Sequence, residues 1–224
     1  MISITKRIVQ ISLPPHGGEG LLGLPDGPAR GVVLFAHGRG DSRHSPRDNH
    51  VAGELRKVGF GTLLFDLPFR EEADDRETMF NIALLADRLD QAATWVREMA
   101  AGQPLPLGFF GVGTGAAAAL TAAATGRTDV RAIVSHGGRP DLASTAWPNV
   151  AAATLLIVGG NDRAGLSLNR MAYQKLTCTR RLEIVPDAAD FPEKPGAFDL
   201  VCGWFARHLA GAPVDKSHTF QELA

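Results

Sequence analysis

The residues Gly111-Val112-Gly113-Thr114-Gly115 stand between an apolar run at 105–110 and an alanine-rich run at 116–124. Strand former, tight bend and helix former in that order make the setting of the G-x-S-x-G turn, which holds a serine hydroxyl clear of the backbone for attack on a carbonyl. Tight backbone geometry at the bend calls for a glycine on either side of the nucleophile. Both outer glycines are here, but the central position is Gly113, which brings no side chain. The bend therefore offers backbone N–H groups and no attacking oxygen. Thr114 carries the only hydroxyl in the motif, one residue past the presenting position, where such a turn contributes an N–H instead. The same stretch with Ala116 fits G-x-G-x-x-A, a dinucleotide fingerprint. That fingerprint belongs to the first strand of a mononucleotide-binding half. The next strand here ends in Ser135-His136, with no acidic residue to hold a ribose.

Short apolar runs alternating with helical patterns must position this turn. Residues 4–11 and 19–24 read as two strands joined by the turn signal Pro14-Pro15-His16-Gly17-Gly18. Residues 31–36 and 60–65 are continuous apolar runs, the mark of strands buried on both faces of a parallel sheet. Further strands are expected at 105–110, 130–134, 154–158 and 181–185. Helices are expected at about 48–58, 79–100, 116–124, 167–175 and 196–208. The one at 79–100 has the strongest pattern, because Ile82, Leu85, Leu89, Ala93, Val96 and Met99 recur at helical spacing. Residues 71–78 are acidic and read as a solvated loop or helix start. The alternation predicts an α/β fold: eight strands, mostly parallel, an antiparallel pair at the start, and helices on both faces. Residues 1–210 are expected to form one domain, and 211–224 a polar tail. The stretch 136–153 is too short for a substantial lid.

With 224 residues, 45% hydrophobic and 21% charged, the chain is long enough for a substantial core. A net charge of −1 supplies no electrostatic attraction for nucleic acid or an anionic membrane. No run approaches the ~20 apolar residues that span a bilayer, and 1–11 lacks the apolar core of a signal peptide, so a cytoplasmic protein is expected. Cys178 and Cys202 could form one bridge, but Cys202 falls in an apolar helical run and reads better as a buried thiol.

The chain resembles the α/β-hydrolases, and most of all the small dienelactone-hydrolase-like group, over about residues 4–209. The resemblance is carried by the order of Leu34-Phe35-Ala36-His37-Gly38, Arg43-His44-Ser45-Pro46-Arg47, Leu64-Phe65-Asp66-Leu67, the glycine turn, Gly137-Gly138-Arg139-Pro140-Asp141-Leu142 and Leu155-Leu156-Ile157-Val158-Gly159-Gly160-Asn161-Asp162. It implies a triad in chain order nucleophile, acid, histidine. Gly113 then stands at the serine position, Asp162 at the acid and Asp190 at the histidine. Taken structurally, Asp162 is a turn residue or helix N-cap. The implied oxyanion-hole donors are the backbone N–H groups of Thr114 and Arg39. Arg39 and Arg43 could also meet a ligand, or simply be solvated.

Serine-type acyl transfer needs a hydroxyl and an imidazole, and both of those positions are changed. The expectation is a pseudoenzyme that binds a small carbonyl or carboxylate ligand, or a protein partner, without a cofactor. The alternative is an active ester or lactone hydrolase that uses Asp162, Asp190 and an activated water. His37, His44 and His136 fall at the ligand-binding edge of the sheet, but no metal-ligand spacing joins them to Asp162 or Asp190. His37 fits a structural His-Gly turn. Phe69, Phe80 and Trp147 could line a pocket or serve as packing.

Overall fold

The computed structural model describes residues 8–13, 18–37, 42–68, 72, 75–100, 105–185 and 197–209. Eight strands form one sheet: β1 Ile8–Leu13, β2 Gly18–Gly23, β3 Val32–Ala36, β4 Gly61–Phe65, β5 Leu107–Val112, β6 Val130–His136, β7 Ala153–Gly159 and β8 Arg180–Val185. Their order across the sheet is β1-β2-β4-β3-β5-β6-β7-β8. Strand β2 runs antiparallel to both β1 and β4, and the other pairs are parallel. The alternation of the sequence therefore yields the expected class, and β5, which feeds the glycine bend, lies inside the sheet between β3 and β6.

The helices are α1 Pro46–Lys57, α2 Arg76–Phe80, α3 Ile82–Met99, α4 Thr114–Thr125, α5 Arg163–Lys175 and α6 Ala197–His208. Alternate residues of the central strands face opposite ways. Val33, Phe35, Phe110, Val134 and Leu155 meet Val51 and Leu55 of α1 and Val201, Trp204 and Phe205 of α6. Leu34, Phe109, Ile133 and Leu156 meet Leu85, Leu89 and Val96 of α3, the alanines of α4 and Ala172 of α5. The sheet is thus covered on both sides, which is why its middle strands have no polar face.

The periodic stretch expected as one helix from 79 is broken at Asn81. That residue ends α2, and its side chain accepts from Leu84 N–H to start α3. The acidic stretch before it supplies Asp75, which caps α2 by accepting from the N–H groups of Glu77 and Thr78. Residues 140–149 contain only two 3-10 turns, Pro140–Ala143 and Trp147–Asn149. Both cysteines are free. Among the described residues no helix is long and apolar enough to cross a membrane.

Candidate functional site

Strand β5 leaves the sheet at Val112, and α4 begins at Thr114, so Gly113 alone makes the bend. Its backbone sits at φ 56°, ψ −123°, a conformation that L side chains seldom adopt. The neighbouring glycines are required by clearance. A Cβ on Gly111 would lie 2.5 Å from Ala116 Cα, and one on Gly115 only 2.0 Å from the Ala36 carbonyl oxygen. Helix α4 therefore starts hard against the end of β3. The Gly113 carbonyl accepts from Arg139 N–H at 3.0 Å and Ala116 N–H at 3.3 Å, which fixes the bend from two directions.

The start of α4 presents backbone N–H groups that have no partner within the helix, together with the favourable end of its dipole. Thr114, the first residue of α4, is 5% exposed, and its hydroxyl has no hydrogen-bond partner among the described residues. Strand register sets the flanks of the bend: Ala36, Gly111 and Ser135 are level across β3, β5 and β6, and Val112 is level with His136. His37, the residue after Ala36, is 1% exposed. Its Nδ1 lies 2.8 Å from Oδ2 of Asp48, a buried carboxylate in the first turn of α1, and its Nε2 has no partner among the described residues. On the other side, the His136 ring stacks on Phe110 at 6.4 Å between centroids.

Asp162 follows β7 as the sequence order requires. It is exposed and is the N-cap of α5: its side chain accepts from Gly165 N–H at 2.8 Å. The structural reading of this residue is thus realised, on the edge of the sheet from which Gly113 also emerges. Asp190 and Arg39 lie outside the described residues, as does Phe69. Arg43 is not a free ligand-seeking cation. Its guanidinium pairs with Asp66 and Glu19, and its N–H donates to Asp66 Oδ1 at 2.7 Å, which pins the segment before α1 to the ends of β4 and β2. Trp147 is buried and donates to the Pro140 carbonyl, a packing role, whereas Phe80 is exposed with Arg76 over its ring.

Asp48 is the residue that sequence reasoning passed over. Ser45 and Asp48 carry the spacing of a helix start, and Ser45 Oγ does accept from Asp48 N–H at 3.4 Å. Nothing in that spacing reveals that the carboxylate turns inward to an imidazole eleven residues earlier. Among the described residues no three His, Cys, Asp or Glu side chains gather as a metal site would need.

The family model for the dienelactone hydrolase family matches residues 19–183. A solved dienelactone hydrolase from Anabaena variabilis ATCC 29413 is 43% identical and superposes with a TM-score of 0.82, over 92% of this chain and 98% of that one. Est1E from Butyrivibrio proteoclasticus is 11% identical with a TM-score of 0.70, over 87% of this chain and 94% of that one, a likeness of fold alone. Two Mycobacterium tuberculosis proteins, from strains CDC 1551 / Oshkosh and ATCC 25618 / H37Rv, are each 47% identical over 207 residues and are provisionally named phosphoribosyl transferases. The match covers 91% of this chain and 46% of theirs, so the chain spans about half the length of these relatives.

Proposed function

The chain belongs to the dienelactone hydrolase family, and from that premise we propose that it has lost serine-type hydrolysis and keeps the bend as a binding site for a small carbonyl or carboxylate ligand. The observation that carries this reading is Gly113 itself. Its φ and ψ are those of a strained presenting position, yet no side chain is there to present. Covalent catalysis through this position would need an oxygen and a base to accept its proton. Gly113 lacks the first, and Asp190, which we place at the histidine position, lacks the imidazole. In this reading the N–H groups of Thr114 and Arg39 still receive the ligand's oxygen, and Asp162 serves as the cap of α5 at the former acid position. The transferase name of the mycobacterial proteins is carried by chains of which this one matches less than half.

The test is p-nitrophenyl acetate turnover by the purified parent beside a Gly113→Ser, Asp190→His double variant. The expected result is a parent at the level of a denatured control and a double variant that turns the ester over. Parent turnover well above that control would overturn the proposal.

A further inference from the structure

A sheet ends at a strand with one neighbour, and the N–H and C=O groups on the free side of that strand form a template for another. Among the described residues β8 pairs with β7 alone and closes one end of the sheet. The carbonyls of Thr179 and Val185 accept from the N–H groups of Thr154 and Gly160 at 2.8 and 2.7 Å. The odd-numbered residues of β8 thus turn their backbone groups toward β7. Backbone direction alternates along a strand, so the N–H and C=O groups of Arg180, Leu182 and Ile184 point out of the edge.

The side chains alternate as well. Leu182 packs against the core on the α5 side and Val185 against the core on the α6 side. Arg181 and Glu183 therefore share the α6 side, where Arg181 Nε and Nη2 donate to Glu183 Oε2 at 3.0 and 2.7 Å. Ile184, on the α5 side, is 45% exposed, and the Arg180 guanidinium lies over the Tyr173 ring at 5.2 Å.

Charge on an edge strand ordinarily discourages a second strand. Here the two charges have opposite sign and sit symmetrically about Leu182. Two copies of β8 related by a two-fold axis run antiparallel, and outward backbone groups must meet outward groups. The registers with most overlap are then centred on Arg181, Leu182 or Glu183. A centre on Arg181 sets two guanidinium groups face to face, and a centre on Glu183 sets two carboxylates face to face. The centre on Leu182 puts Arg181 opposite Glu183 of the second copy, twice by symmetry, and Arg180 opposite Ile184. Opposite charges directly across antiparallel strands stabilise the pair and like charges destabilise it, so one register is favoured and its neighbours are penalised. The strand at the other end of the sheet, β1, has no charged residue and offers no such selection.

We propose that the β8 edge is a homodimer surface, on which β8 of a second copy pairs antiparallel about Leu182 and makes the two sheets continuous. Arg180, Leu182 and Ile184 carry the intermolecular backbone bonds, and Arg181 and Glu183 set the register.

The experiment is light scattering on the full chain across a dilution series, with amide hydrogen exchange measured on the same samples. The parent is expected to be a dimer that dissociates on dilution. Arg181→Glu and Glu183→Arg change side chains that are half and one-third exposed, so both variants are expected to fold. Each is expected to weaken the dimer on the order of tenfold, because two attractive cross-strand pairs become repulsive. Both changes in one chain are expected to restore the dimer, and so is an equal mixture of the two single variants. The Leu182 and Ile184 amides are expected to exchange slowly in the dimer and faster on dilution. A parent that is monomeric at every concentration would overturn the proposal. So would a dimer that the single changes leave as tight, or one that the combined change fails to restore. Fast exchange at Leu182 and Ile184 in a dimer would place the interface elsewhere, and slow exchange there in a monomer would give the edge to another segment of this chain; either result overturns the proposal.

Discussion

Gly113 holds its backbone at φ 56°, ψ −123°, where a residue with a Cβ pays on the order of 1–3 kcal/mol. A serine at this point would carry that strain as a condition of presenting its hydroxyl, and glycine relieves it. Gly113→Ser is thus expected to lower stability by about 1–3 kcal/mol, read from denaturant midpoints, even as it supplies the missing oxygen. A variant as stable as the parent would mean that the bend relaxes when substituted. Gly115→Ala meets a harder limit, because its Cβ would lie 2.0 Å from a backbone oxygen rather than a flexible side chain. Its cost is expected at or above the top of the ~1–3 kcal/mol range for overpacking. The residue types and spacing of this bend were open to reading in the sequence, since glycines around a strand-to-helix bend have few other uses. The His37–Asp48 pair was not, because a helix-start carboxylate usually faces water and only the packing of α1 on the sheet turns this one inward.

Among the elements, Asp162 joins the edge of the site to the start of α5. Its carboxylate satisfies the Gly165 N–H, and a Cβ on Gly165 would lie 2.1 Å from Asp162 Oδ2, so the cap is packed as well as bonded. Asp162→Ala is expected to cost about 0.5–2 kcal/mol through loss of that cap, measured by thermal or denaturant unfolding. No change on substitution would show that the capping bond contributes nothing to α5. The eight strands and the long helices were legible because apolar runs and a 3.6-residue period report burial directly. The break at Asn81 was hidden by the same signal. Met79 and Leu85 are both buried, so the apolar pattern runs on across the break, and only the Asn81 side chain bonding to Leu84 N–H divides it.

At the scale of the molecule, both faces of the sheet must stay closed, and two titrating groups on α6 report the face it shares with α1. Burial, with the nearby Arg207 charge, lowers the His208 pKa below the ordinary 6.5. The folded form then holds that proton less tightly than the unfolded chain, so stability is full above 6.5 and falls as pH drops below it. Burial, then the charges of Glu54 and Asp199, push the Cys202 thiol from 9.0 up to about 11. Here the folded form keeps its proton longer than the unfolded chain, so stability is full below 9.0 and is lost as pH rises toward 11. Together the two groups predict a stability plateau between them that falls on either side. The Trp204 ring, 4.2 Å from His208 between centroids and donating to the Ala153 carbonyl of β7, is a natural fluorescence reporter of this face. Melting temperatures followed across pH should show the acid slope flatten in His208→Gln and the alkaline slope flatten in Cys202→Ala. Slopes unchanged in both variants would place the pH sensitivity of the fold in other groups and leave α6 electrostatically silent.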